Sequence, residues 1–294
     1  MFSFFQIRPK TGLIGIFCAL LALLTFPVNS KELDNTVITG AGAHFSWVIF
    51  DALKPALEER AGRPLKLFGK ESMLGAGCNA GIKSARQDQS QKQSFGFVCC
   101  PLSDKEIETK NLKIFPLALE PILILTHEDN PISNISSQQA RDIFSGKINN
   151  WQELGGKEQN IVVVTRLHCK KRPGHWKTIL PQAKNFRQKR INVKSADDMV
   201  KRVSDFPSAI GHTGSAWAFG PKSKVKALTI DTHAPTASNL KNGLYPFYRQ
   251  LSAITSKEAP DELTSLMSYA QELFANSHIS EQYQLLPLVK SANK

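Results

Sequence analysis

An α/β protein in two lobes is what this sequence predicts, on three grounds. Short apolar or β-branched runs alternate with segments whose apolar residues recur at helical spacing, so strands and helices take turns along the chain. Glycine-rich loops stand at strand ends where helices begin, as in a doubly wound sheet that holds its ligand at the carboxyl ends of its strands. The stretch from Lys31 to Lys294, which follows an export-type N-terminus, is too long for one small core and comfortable for two lobes.

The N-terminus comes first. MFSFFQIRPK carries Arg8 and Lys10 and no acid, GLIGIFCALLALLTFP is apolar, and Val28-Asn29-Ser30 offers small residues for cleavage. Residues 1–30 therefore read as a secretory signal removed near Ser30, taking Cys18 with it, and the product is expected in the periplasm or otherwise outside the cytoplasm. The apolar run is shorter than the about 20 residues a membrane span needs. Export disfavours nucleic acid as a partner. With 37 Lys and Arg against 25 Asp and Glu, the net charge is +12, and removing the signal leaves it basic. Such a field favours an anionic solute, a membrane surface or an acidic partner. The basic run from Lys184 to Arg190 reads as a solvated helix face.

Along the rest of the chain, TVITGAGAHF is a strand ending in a glycine turn, and SWVIFDALKPALEERAG is a helix stopped at Gly62. RPLKLFGK is a strand, GAGCNAGIKSARQ a glycine turn opening a second helix, and SFGFVCC a strand. FPLALEPILILTHEDN gives two strand-like runs with Pro121 between them. ISSQQARDIFSGKINNWQELGG reads as a short helix, a turn and another short helix, and NIVVVTR as a buried strand. SAIGHTGSAWA and ALTID fit a second lobe, YPFYRQLSAIT is a strand, and DELTSLMSYAQELFAN an amphipathic helix. Trp47 and Trp151 are expected in the core.

Four cysteines remain after the signal: Cys78, Cys99, Cys100 and Cys169. An even count in an oxidising compartment predicts two disulfides by default. With no CxxC pair and no HxxxH, the spacing argues against an ordinary zinc module.

The succession TGAGAHF, GAGCNAGIK, FGFVCCPLSD, ARDIFSGKINNWQELGG, NIVVVTR, SAIGH and YPFYRQL resembles the periplasmic phosphate-binding protein family, the substrate-binding proteins of phosphate ABC transporters with a PBP-like domain. The resemblance covers nearly the whole chain after the signal, and DIFSGKINNW followed by a buried strand ending in arginine is its most specific part. It implies a two-lobed periplasmic binding protein of type II-like fold, with doubly wound sheets joined by hinge strands. Lobe 1 would take 31–120 plus 245–294 and lobe 2 would take 121–244. It further implies a monomer, not an enzyme, that closes on a small inorganic ligand and presents it to a membrane permease or a sensor kinase.

Carried over by position, the family's phosphate ligands are mostly substituted. Its first-turn hydroxyl residue falls on His44 and its helix-capping serine on Cys78, before Asn79. Its proton-accepting aspartate falls on Cys99, beside Cys100. The arginine is kept as Arg166, but His168 and Cys169 follow where an aspartate and its neighbour would stand, and Pro173-Gly174-His175 is at most a shifted remnant of the Ser-Gly-Thr turn.

Three states of the pocket stay open at this point. Cys78 with Cys99, and Cys100 with Cys169, would form disulfides. Alternatively, His44, Cys78, Cys99, His168 and Cys169 would ligate Cu(I), Zn(II) or arsenite, which favour sulfur and imidazole. Or an oxyanion is still held by Arg166 and the backbone amides of Gly42, Ala43, Asn79 and Ala80. A thiol enzyme would need Cys99 or Cys169 activated beside His168 and Arg166, and no motif supports one. His212 is expected to pack rather than ligate, and His175 is open. His127, His233 and His278, with Lys170, Lys171 and Arg172, are expected in solvent.

Overall fold

The computed structural model describes residues 37–69, 77–87, 93–169, 172, 174–217 and 223–289. The signal-like stretch, the turn before Gly77, Lys170, Lys171 and Pro173 lie outside the described residues. In chain order the elements are β1 (Ile38–Gly42), α1 (His44–Ala61), β2 (Leu65–Phe68), α2 (Gly77–Arg86), β3 (Ser94–Val98), α3 (Asp104–Thr109) and β4 (Leu112–His127). Then come β5 (Asn134–Ile135), α4 (Ser137–Ser145), β6 (Val162–Thr165), β7 (Ile191–Asn192), α5 (Ala196–Asp205), β8 (Ala209–Gly214), β9 (Val225–Ala227) and β10 (Thr229–Ile230). The chain finishes with α6 (Ala237–Lys241), β11 (Tyr248–Ser256), α7 (Asp261–Ala275), α8 (Ile279–Gln282) and β12 (Leu286–Pro287).

Ten strands form one sheet: eight follow the path β2-β1-β3-β11-β4-β8-β6-β7, and β9 and β12 also pair with β4. The pairings β1–β2, β1–β3, β6–β8 and β6–β7 are parallel, and β11 inserts antiparallel between β3 and β4. The apolar cores divide the molecule into two lobes. In the first, Phe50, Phe95 and Phe97 stack under α1 and α7, joined by Leu263, Met267 and Phe274. In the second, Phe144, Trp151, Phe186 and Phe247 pack on one face of the sheet, and Leu125, Met199 and Val203 on the other.

The two expected strand-like runs around Pro121 are instead one strand, β4, which runs through both lobes. Proline is tolerated there because its missing N–H falls where β4 exchanges partners: Pro121 stands opposite Tyr248 of β11, and Ile122 opposite Gly214 of β8. Pro116 sits at a bulge, where the register slips between Leu251 and Ser252. The return crossing runs beside it, with the Ile122 amide donating to Phe247 O at 2.7 Å and Tyr245 Oη to Ile122 O at 2.8 Å.

Local signals in the sequence explain most boundaries. Gly62 caps α1 in the left-handed region at φ 63°, and Ser136 with Gln139 closes a capping box on α4. The basic run does not form a helix face: only Ala183–Asn185 makes a 3₁₀ turn, because Phe186 is drawn into the core. His127 is buried at the end of β4, against the expectation of solvent, since its strand continues into the second core. No helix among the described residues is long and apolar enough to cross a membrane.

Candidate functional site

On the first lobe the site is made by close backbone contact. A Cβ added to Gly96 would lie 2.0 Å from Gly81 O, and one added to Gly81 would lie 2.6 Å from Phe97 O. Only glycine at both positions lets α2 lie directly on β3. That contact brings Cys78, in the first turn of α2, to the carboxyl end of β3, where Cys99 and Cys100 follow Val98. The Cys99 amide donates to Cys78 Sγ at 3.3 Å, and the two sulfurs are 3.8 Å apart.

On the second lobe β6 ends at Thr165, and the next residues, Arg166 to Cys169, face the first. Trp176 Nε1 pins this segment through the His168 carbonyl at 2.6 Å. Arg166 Nε donates to Lys194 O at 3.0 Å, and its guanidinium pairs with no carboxylate among the described residues. Burial pulls its pKa below the ordinary arginine value.

Two soft donor sets result. The sulfurs of Cys78, Cys100 and Cys169 lie within 4.8 Å of one another, as do donor atoms of Cys99, Cys100 and His168. All four cysteines are free thiols. Hydrogen bonding with Cys100 holds the Cys78 and Cys169 thiols below the ordinary value, whereas Cys100, donating to Cys169, is pushed well above it. One shared thiolate in an S–H···S network is the physical content of that pattern.

Behind the sulfurs runs a chain of imidazoles. Arg249 Nη1 lies 3.3 Å from His175 Nδ1, His175 Nε2 and His212 Nδ1 share a hydrogen bond at 2.9 Å, and the Arg166 amide approaches His212 Nε2 at 3.5 Å. The His168 and His175 ring centroids are 4.7 Å apart. Burial holds all three imidazoles below their ordinary pKa, His212 at about 3, so they are neutral at pH 7. Arg249 itself is buried against Glu120, which also accepts from the Ala216 amide at 2.9 Å, and lies 3.8 Å over the Phe45 ring.

One further cation bridges the lobes. Arg172 forks onto Glu106 of α3, with Nη2 to Oε1 at 2.7 Å and Nε to Oε2 at 3.2 Å, and Nη1 donates to Asn79 Oδ1 of α2 at 2.6 Å. The hydrogen bond from Arg172 lowers the Glu106 pKa to about 2. A carboxylate held below its unfolded value of 4.5 adds stability above that pH and loses it as pH falls through about 2. Glu106→Gln is therefore expected to melt at a lower temperature than the native chain at pH 7, with the gap closing as thermal scans move down this window. A gap independent of pH would refute the pair.

Comparison with known proteins settles the family. The sequence signature of the PBP superfamily domain matches residues 29–277. This chain belongs to the PBP superfamily. Among PBP relatives, the phosphate-binding protein PstS of Bacillus subtilis (strain 168) is 31% identical over 165 residues, 55% of this chain and 53% of that protein, so the match spans about half the relative's length. The phosphate-binding protein PstS of Borreliella burgdorferi is 24% identical over 284 residues, 93% of this chain and 97% of that one. Of solved PBP structures, a putative phosphate ABC transporter substrate-binding protein with bound phosphate from Clostridium perfringens is 22% identical, covers 86% of this chain and 100% of its own, and has a TM-score of 0.71. An ABC-type phosphate transport receptor from Vibrio cholerae is 20% identical, with 85% and 99% covered and a TM-score of 0.64. At these identities the likeness establishes the shared two-lobed fold.

Within this PBP fold the structure gathers most of the expected residues. Cys78, Asn79, Cys99, Cys100, Arg166, His168 and Cys169 all stand where the lobes meet. His44 joins neither donor set: its ring packs on Trp217 at 4.6 Å, in a groove shared with Asp51 and His278. Its half-buried ring follows the packing on Trp217, which position-matching does not reveal. The disulfides are also corrected, since 3.8 Å between Cys78 and Cys99 Sγ far exceeds the about 2.05 Å of an S–S bond. Arg172 is a cross-lobe contact rather than a solvated side chain, and nothing in the basic run around it singled it out. The Glu120–Arg249 pair was missed too, because residues far apart in sequence give no local sign of pairing.

Proposed function

We propose that this chain is a non-enzymatic receptor of the exported solute-binding kind, with lobes at 31–120 plus 245–294 and at 121–244. It captures a small oxyanion of the phosphate class between them and hands it to a membrane permease. The observation that carries the reading is Arg166: a half-buried guanidinium with no carboxylate partner among the described residues, close enough to Cys99 and Cys100 at the end of β3 to feel their charge. Two helix starts support it. Neither α1 nor α2 has an acidic residue in its first turn, so neither positive dipole end is neutralised by its own helix. The phosphate ABC transporter proteins named above share the fold, which supports delivery to a permease, and the signal-like N-terminus supports export. A sensor kinase is the other partner this surface would suit.

The test is calorimetric titration of reduced protein, stripped by unfolding and refolding, with inorganic phosphate, arsenate and sulfate. One saturable site for phosphate is expected. Arg166→Ala should weaken it about 10- to 100-fold, the worth of a charge-assisted hydrogen bond of about 1.5–3 kcal/mol. Absence of binding by all three anions would overturn the reading.

A further inference from the structure

From Cys78, Cys100 and Cys169 we infer a second ligand chemistry in the same cleft: a trigonal three-sulfur site for a monovalent soft cation, Cu(I). The inference rests on the receptor reading only in that both use the meeting of the lobes. A metal–sulfur bond of about 2.3 Å in a planar trigonal site puts the sulfurs about 4 Å apart. The three sulfurs here are already within 4.8 Å of one another, so less than an ångström of movement completes the geometry.

The donors select the ion. Among the described residues no fourth donor groups with all three sulfurs: Cys99 Sγ lies 3.8 Å from Cys78 and groups with Cys100 but not with Cys169, which disfavours tetrahedral Zn(II), and no carboxylate oxygen joins the set for a hard cation. Thiolates without oxygen donors suit Cu(I). The adjoining set of Cys99, Cys100 and His168 shares Cys100 but offers only two sulfurs with an imidazole, a less soft third donor for Cu(I) than thiolate. The all-sulfur set is therefore the site.

Ordinary packing accounts for Cys78 and Cys100, which are buried in the first core. Cys169 packs against the same core from outside, but it is partly exposed and held at φ 52°, a left-handed conformation that costs a non-glycine residue energy and that packing alone does not require. That backbone aims its sulfur at the other two across the lobe boundary. Cys78 and Cys100 come from the first lobe and Cys169 from the second, so the ion would tie the lobes together. Binding breaks three S–H bonds, forms three Cu–S bonds and releases three protons to solvent. No electron is transferred when the metal is supplied as Cu(I). The product carries two negative charges, which Arg166 and Arg172 face.

The experiment is an anaerobic titration of the reduced full-length exported protein with Cu(I) delivered as its bicinchoninate complex, with Zn(II) and arsenite as parallel arms. One equivalent of Cu(I) should be withdrawn from the competitor, with sulfur-to-copper charge-transfer absorption. X-ray absorption of the native loaded protein should show three sulfur neighbours, a readout that needs no variant. Cys169→Ser, at the partly exposed position, should weaken retention by more than about 100-fold, beyond the effect of an outer-shell change. Circular dichroism of the metal-free variant checks its folding. Failure to withdraw Cu(I), preference for Zn(II) or arsenite, a mixed sulfur and nitrogen shell, or retention unchanged in Cys169→Ser would each overturn the site. Phosphate titration of the same preparation is read separately: its failure with Cu(I) retained sinks only the oxyanion reading, and the reverse sinks only this one.

Discussion

Glu120→Leu is expected to cost about 3–5 kcal/mol of stability, because it strands a buried cation rather than because it deletes a favourable bond. Glu120 is 0% and Arg249 3% exposed, and they stand directly opposite each other on β4 and β11. The substitution also leaves the Ala216 amide without its acceptor. Replacing both members, as Glu120→Leu with Arg249→Met, should recover most of the loss, since an apolar pair of similar volume carries no uncompensated charge. Urea denaturation of the three chains checks this, through midpoints compared at a common slope. A double variant no more stable than the single one would mean that the lost packing, not the stranded guanidinium, sets the cost. The pair lies next to His175 and Phe45, so the single variant should also loosen the imidazole chain behind the sulfurs.

The second large effect is expected from a single methyl group. Gly96→Ala places a carbon 2.0 Å from Gly81 O, a backbone atom that cannot swing away as a side-chain tip would. Overpacking typically costs 1–3 kcal/mol, and here about 3 kcal/mol is expected because a whole helix must move. The urea midpoint should fall. Cys78 should also be withdrawn from Cys99, which makes it modifiable by a thiol reagent under native conditions, whereas the native chain protects it at 1% exposure. An unchanged midpoint with unchanged protection would show that α2 does not depend on this contact.

Much of the architecture was legible because the signals are local. The helical spacing in α1 and α7, the glycine stop at Gly62 and the turn signals around α4 need only neighbouring residues. Pro121 misled because a proline within a strand reads as a break until the change of partner on either side of it is known. The site was readable where position in a glycine turn dictates direction, as for Cys78, Cys99 and Arg166. His44 failed for the opposite reason: a residue at a helix start is placed by its backbone, while its ring follows the packing, here onto Trp217. Cys100, left out of the expected metal set, belongs to both sulfur groups, a fact that arises from the distance between two lobes and from no motif.

The insertion of β11 between β3 and β4 has a bearing on how the molecule matures. Every strand of the second lobe lies between β4 and Phe247, so that half can close as soon as it emerges. The first half of the chain must wait for Ser256 before its sheet has a filled middle, a pairing of long sequence separation and therefore slow. Phe95, Phe97 and the sulfurs beyond them are thus among the last groups to be sealed in a newborn copy, and it is then that an oxidant or a scavenging ion meets them first.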